Sequence, residues 1–131
     1  MGLVAASPAE AEAPHVTQAQ KIKLMSPKSY ALMKVESKWL NPQKEYACLH
    51  ALWQKESGWR STALNKSSGA FGIAQFLPST WGNYKYPYKP TDPQIQIDAG
   101  LRYIYKRYET PCKAWAFWKS KAGKDMIGGW Y

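Results

Sequence analysis

At 131 residues with 45% hydrophobic side chains, the chain is long enough for one packed core and too short for two. No stretch approaches the roughly 18 apolar residues of a membrane-spanning helix, so no membrane span is expected. The formal charge of +9 implies attraction to something anionic; fifteen of the eighteen cations are scattered lysines rather than arginines, which argues against nucleic acid.

Residues 1–27 are rich in Ala, Pro, Glu, Gln and Lys, with almost no large apolar side chain before Ile22, Leu24 and Met25, and are expected to form a disordered leader. The start, Met1 to Ala11, has a short apolar run and small residues like those near a signal-peptidase site, without a basic first region. It reads as the remnant of an export signal or as an expression start. Ser26-Pro27 is a cap followed by a first-turn proline and opens a helix to about Trp39, with Ala31, Leu32, Val35 and Trp39 inward. Asn41-Pro42 breaks it.

The next helix is expected from Pro42 to Ser57. Cys48, Leu49, Leu52, Trp53 and Glu56 fall on one stripe, so Glu56 points toward the core. Gly58 closes the helix in a left-handed cap. Partial desolvation by Leu52 and Trp53, together with the negative helix end, favours the protonated carboxyl. An acid held neutral near pH 7 is equipped for general-acid catalysis. An ordinary wet boundary glutamate would occupy the same position, so the residues beyond Glu56 have to decide between the two.

Residues 58–75 are polar and small, with Asn65, Ser67, Ser68, Gly69 and Gly72, and read as an irregular or short sheet-like segment. Pro78 to Trp81 reads as a single helical turn. Tyrosine, lysine and proline alternate from Tyr84 to Pro90, which predicts a surface loop. Asp92-Pro93 caps a long helix with Ile97, Leu101, Ile104, Tyr105 and Tyr108 at helical spacing; Gly100 within it marks a close helix crossing. Thr110-Pro111 opens a last helix carrying Cys112, Trp115, Ala116 and Lys119. Gly123 and Gly128-Gly129 punctuate the end, and Trp130-Tyr131 are expected to fold back. No internal repeat is visible.

Cys48 and Cys112 are the only cysteines; outside the cytosol they read as a disulfide, otherwise as two buried thiols. His15 and His50 are far apart and there is no His/Cys cluster, so neither a metal nor a cofactor is expected. Seven Trp and nine Tyr are unusually abundant: many of them belong to the core, and so many amphipathic rings also suit a groove that stacks on sugar faces.

Four pieces in order, Glu56-Ser57-Gly58-Trp59, Ala63-Leu64-Asn65, Gly69-Ala70-Phe71-Gly72-Ile73-Ala74-Gln75 and Pro78-Ser79-Thr80-Trp81, resemble the signature of the lysozyme-like lytic transglycosylases. Gly100-Leu101 is similar to the Gly-Leu pair in that family's long helix. Cys48-Leu49-His50-Ala51-Leu52-Trp53, Pro111 to Trp115 and Gly129-Trp130-Tyr131 resemble a secreted and phage-associated subgroup. The likeness spans residues 28–131.

The resemblance implies a mainly α, lysozyme-like single domain with a small irregular or β-like segment beside the cleft. It also implies a Cys48–Cys112 disulfide and an extracytoplasmic or virion-associated location. The implied reaction is cleavage of the β-1,4 bond between N-acetylmuramic acid and N-acetylglucosamine in peptidoglycan, with Glu56 as acid and then base. Proton removal from the muramyl 6-hydroxyl yields a 1,6-anhydro product, whereas activation of water yields hydrolysis, as in a muramidase. Gln75, the Gly72 and Ile73 backbone, Asn65, Ser68 and Trp115 are the implied glycan-binding residues. The partners are glycan strands and anionic wall polymers, and a monomer is expected.

No acid lies between Glu56 and Asp92; Asp92 reads as a helix cap and Asp98 as a helix-surface acid. The paired carboxylates of ordinary glycosidases, roughly 5 to 9.5 Å apart, are therefore not expected, and a single-acid mechanism assisted by the substrate N-acetyl group is. The chain departs from the family at Ala114-Trp115-Ala116-Phe117-Trp118, where an Ala-Tyr-Asn-Ala-Gly segment with an acid-placing tyrosine is usual. Tyr103 or Tyr105 is the expected substitute. That loss also makes a wall-binding module without turnover the competing function.

Overall fold

A computed structural model describes residues 15–85 and 89–122. Among them are six helices: α1 Gln18–Lys23, α2 Pro27–Lys38, α3 Pro42–Ser57, α4 Pro78–Asn83, α5 Pro93–Tyr108 and α6 Pro111–Ala122. Every helix after α1 starts on a proline, whose fixed φ and missing N–H suit the first turn. Side-chain caps sharpen three of these starts. Ser26 accepts from the Ser29 amide at 3.2 Å, Asp92 from Gln94 at 2.8 Å and Thr110 from Lys113 at 3.1 Å.

The expected disordered leader needs correction at its end. Thr17 and Gln20 form a reciprocal capping box that starts α1. Ile22 and Met25 then pack on the core, and the Gln94 side chain donates to the Ile22 carbonyl at 2.8 Å. The leader's first fourteen residues, Tyr86 to Tyr88 of the loop, and the expected end at Gly123, Gly128-Gly129 and Trp130-Tyr131 lie outside the described residues.

Helix α3 is the centre of the fold. Leu49, Leu52 and Trp53 on its inner face are fully buried against Ala31 and Val35 of α2, Ile97, Leu101 and Ile104 of α5, and Ala114 of α6. Its most extensive helix contact is with α6, and two links fasten that pair. One is the Cys48–Cys112 disulfide, across 64 positions of sequence. The other is buried Glu45, whose Oε1 accepts from the Cys112 amide at 2.9 Å and so serves an orphan donor at the α6 N-terminus.

The segment between α3 and α4 has only isolated antiparallel bridges, Leu64 with Phe71 and Phe71 with Phe76, which matches the expected β-like strip. Tyr84, expected in a surface loop, is instead half-buried and stacked on Phe76 at 5.6 Å. Tyr105, expected inward, is 56% exposed: it lies beyond the buried edge of α5 and takes the Lys38 ammonium over its ring.

Gly100 does mark a close approach, and its partner is a ring rather than a helix backbone. A β-carbon there would lie 2.6 Å from Cζ2 of fully buried Trp53 and 3.1 Å from the Ala74 β-carbon. Gly100→Ala would gain about 1 kcal/mol of helix propensity. Overpacking a rigid buried ring costs up to about 3 kcal/mol and outweighs it. The expected result is a melting temperature several degrees lower by calorimetry; an unchanged or raised value would contradict the packing.

Candidate active site

Glu56 occupies the last turn of α3. Gly58 ends the helix in the left-handed conformation, with φ of 63°, and its amide donates to the Gln54 carbonyl at 3.0 Å. Buried Ser57, next to Glu56, donates its hydroxyl to the Ile73 carbonyl at 2.7 Å. That bond ties the end of α3 to the irregular segment, and Glu56 with it.

The segment is itself clamped from α5 by Gln96, which is fully buried. Its Oε1 accepts from the Ile73 amide at 2.8 Å, and its Nε2 donates to the Ser61 and Pro90 carbonyls at 2.9 and 2.7 Å. Gly72 faces this amide at φ of 87°; a β-carbon there would sit 2.7 Å from the Gln96 Cδ, so both backbone freedom and lack of a side chain are required.

A pocket opens over Glu56, lined by Ala74, Gln75, Phe76, Leu77, Thr80 and Tyr103. Glu56 is half-buried in its wall, and Trp118 of α6 donates its indole N–H to Oε2 at 3.0 Å. Burial pushes the Glu56 carboxyl up to about 8, and the indole hydrogen bond opposes the shift. Glu56 is the one carboxyl lining the pocket among the described residues. Asp92 caps α5, and Asp98 accepts from the Tyr30 hydroxyl at 2.8 Å and pairs with Lys34 at 3.5 Å, away from the pocket.

The sequence-predicted residues divide. Gln75 and Tyr103 share the pocket with Glu56. Gln75 takes φ of 57°, and its side-chain nitrogen donates to the Ala63 and Gly72 carbonyls at 3.1 and 2.9 Å, which braces the segment. Tyr103 is hydrogen-bonded to Arg107 and Tyr108; burial raises its phenol, Arg107 pulls it down, and nearby Glu56 raises it again. Tyr105 is not beside Glu56.

The other expected binding residues have local structural work. Asn65 Oδ1 accepts from the Ser67 and Ser68 amides at 2.9 and 3.2 Å, and Ser68 Oγ from the Ala70 amide at 3.1 Å, so both build a turn outside the pocket lining. The expectation that Gly72 and Ile73 offer amides to a ligand is corrected. Those amides donate to the Ala63 carbonyl at 2.9 Å and to Gln96, because a buried segment must pair its own backbone. Trp115 is half-buried and stacked on Trp118 at 5.3 Å and 24°, and it does not line the pocket.

Sequence reasoning missed Trp118, Gln96 and Thr80. Trp118 follows buried Ala114 by four positions, a helical period that puts it on the inward face and was a usable signal. Gln96 carried none, since a single glutamine in an amphipathic helix reads as surface. Among the described residues, no group of three or more His, Cys, Asp or Glu is placed to hold a metal ion.

The family model described as Transglycosylase SLT domain matches residues 40–120, a span from the start of α3 nearly to the end of α6. No curated protein and no solved structure matches the chain.

Proposed function

The chain belongs to the transglycosylase SLT domain family, whose members are lytic transglycosylases acting on peptidoglycan, and on that premise we propose that Glu56 is its single catalytic acid and base and that the product carries 1,6-anhydro ends. The observation that carries this reading is the half-buried Glu56 carboxyl, raised to about 8, in a pocket whose described lining holds no other acid.

A neutral Glu56 protonates the glycosidic oxygen as the bond from C1 of N-acetylmuramic acid breaks. The substrate N-acetyl group stabilises the cationic centre at C1. Glu56, now a carboxylate, takes the proton of the muramyl 6-hydroxyl while that oxygen bonds to C1, which regenerates the acid. Mass spectrometry of soluble fragments released from purified sacculi tests it. The expected fragments are one water lighter than hydrolysed ones; fragments with the full water would make the protein a muramidase, and no fragments a wall-binding module.

Because the reactive form is the protonated one, kcat/KM is expected to fall as pH rises through about 8, the value burial sets for Glu56. A profile that stayed flat to pH 10 would remove Glu56 from that role.

The location proposed is outside the cytoplasm, where the wall lies and where a disulfide such as Cys48–Cys112 persists. There the charge of +9 concentrates the protein on anionic wall polymers. Binding to sacculi is expected to weaken steeply with salt while cleavage of a short neutral glycan changes little, since screening acts on exposed charges more than on a half-buried site. Equal salt sensitivity on both substrates would put the important cations in the cleft.

A further inference from the structure

We propose that Trp118 is the positioning residue of Glu56: its indole N–H holds Oε2, and so makes Oε1 the oxygen that hands the proton to the glycan. This rests on Glu56 being the acid. The two oxygens of a free carboxyl are equivalent, and a fixed donor removes the equivalence. The indole nitrogen lies 3.0 Å from Oε2 and can only donate. It pairs best with an unprotonated oxygen, so in the neutral acid Oε2 is the carbonyl oxygen and the proton falls to Oε1. A phenol in the same role would also accept and would titrate; the indole does neither, and so never competes for the catalytic proton.

Trp118 is held well enough for this. Its ring stacks on Trp115, and the start of its helix is fastened to α3 by the Cys48–Cys112 bond and by Glu45. The titratable neighbour of Glu56 on α5 is Tyr103, bonded to Arg107 and Tyr108. Thr80 of α4 and Gln75 of the irregular segment do not titrate. Lys119 and Lys121 of α6 lie over the Trp115 and Phe117 rings.

The test replaces Trp118 in the full chain with β-(3-benzothienyl)alanine, which puts sulfur in place of the N–H and keeps the ring shape. A second variant, Trp118→His, sets an imidazole Nε2–H where the indole N–H was. The Glu56 carboxyl is titrated by carbon-13 NMR, and kcat and KM on a soluble glycan are followed against pH. Loss of a donor to the carboxylate should raise the Glu56 pKa by about one unit and lower kcat about tenfold, with KM nearly unchanged. The alkaline limb of activity should move up with the carboxyl, and Trp118→His should restore most of kcat. A benzothienyl variant with unchanged Glu56 titration and unchanged kcat overturns the proposal. A shifted titration with an unmoved alkaline limb overturns it differently, by unseating Glu56 as the acid while leaving the hydrogen bond in place.

Discussion

Glu56→Gln is expected to cut release of soluble muropeptides from sacculi by about a hundredfold or more, because it removes the transferable proton and keeps the side chain's shape and its acceptor for Trp118. The same substitution should not harm the fold. The carboxyl moves from its ordinary 4.5 up to about 8 on burial, so the folded state binds its proton more tightly than the unfolded one. Stability is then fully present below about 4.5 and is lost as pH rises toward about 8. The amide has no proton to lose. The variant's stability relative to wild type should therefore grow across that window and level off above it. Denaturant titrations at pH 5 and pH 9 read the difference directly. Activity within a few-fold of wild type would refute the catalytic assignment, and an equal stability difference at both pH values would refute the buried, protonated carboxyl.

Opening the Cys48–Cys112 bond is expected to produce a large stability loss at a distance from the pocket. The bond closes a loop across 64 positions, for which the loop-entropy model assigns about 4 kcal/mol. For a domain of this size that corresponds to roughly 10–20 °C in melting temperature. Activity at low temperature should survive, because Glu45 still holds the Cys112 amide and Ala114 still packs in the core. On warming, α6 should release first and take Trp118 away from Glu56. Melting curves with and without reductant, checked by thiol alkylation and intact mass, measure this; an unchanged melting temperature in the alkylated protein would show that the bond contributes nothing to the fold.

Helix positions were legible because their determinants are local. Ser26-Pro27, Asp92-Pro93 and Thr110-Pro111 each pair a capping side chain with a first-turn proline, and Gly58 ends α3 with a conformation few other residues adopt cheaply. The direction of Glu56 was legible for the same reason, since the stripe through Leu49, Leu52 and Trp53 fixes which way that turn faces. The expectations failed where composition masked a local signal or where the helical period ran past the buried arc. The capping box at Thr17 and Gln20 was overlooked in a composition that otherwise reads as disordered, and Tyr105 satisfied the helical period while lying just outside the buried arc of α5.

By itself the sequence determined the helices from α2 onward, the inward acid and the family, all of which depend on spacing along a few turns or on an ordered set of short motifs. Only the tertiary structure decided what surrounds Glu56. Trp118 reaches it across 62 positions, Gln96 reaches Ile73 across 23, and Tyr103 arrives on a third helix. Tertiary structure also decided that the amides of Gly72 and Ile73 are spent inside the segment rather than offered to a ligand. Those outcomes depend on how the helices dock, and docking is set by the complementary shapes of many side chains at once, such as the Trp53 edge against Gly100. No single residue or local spacing carries that information.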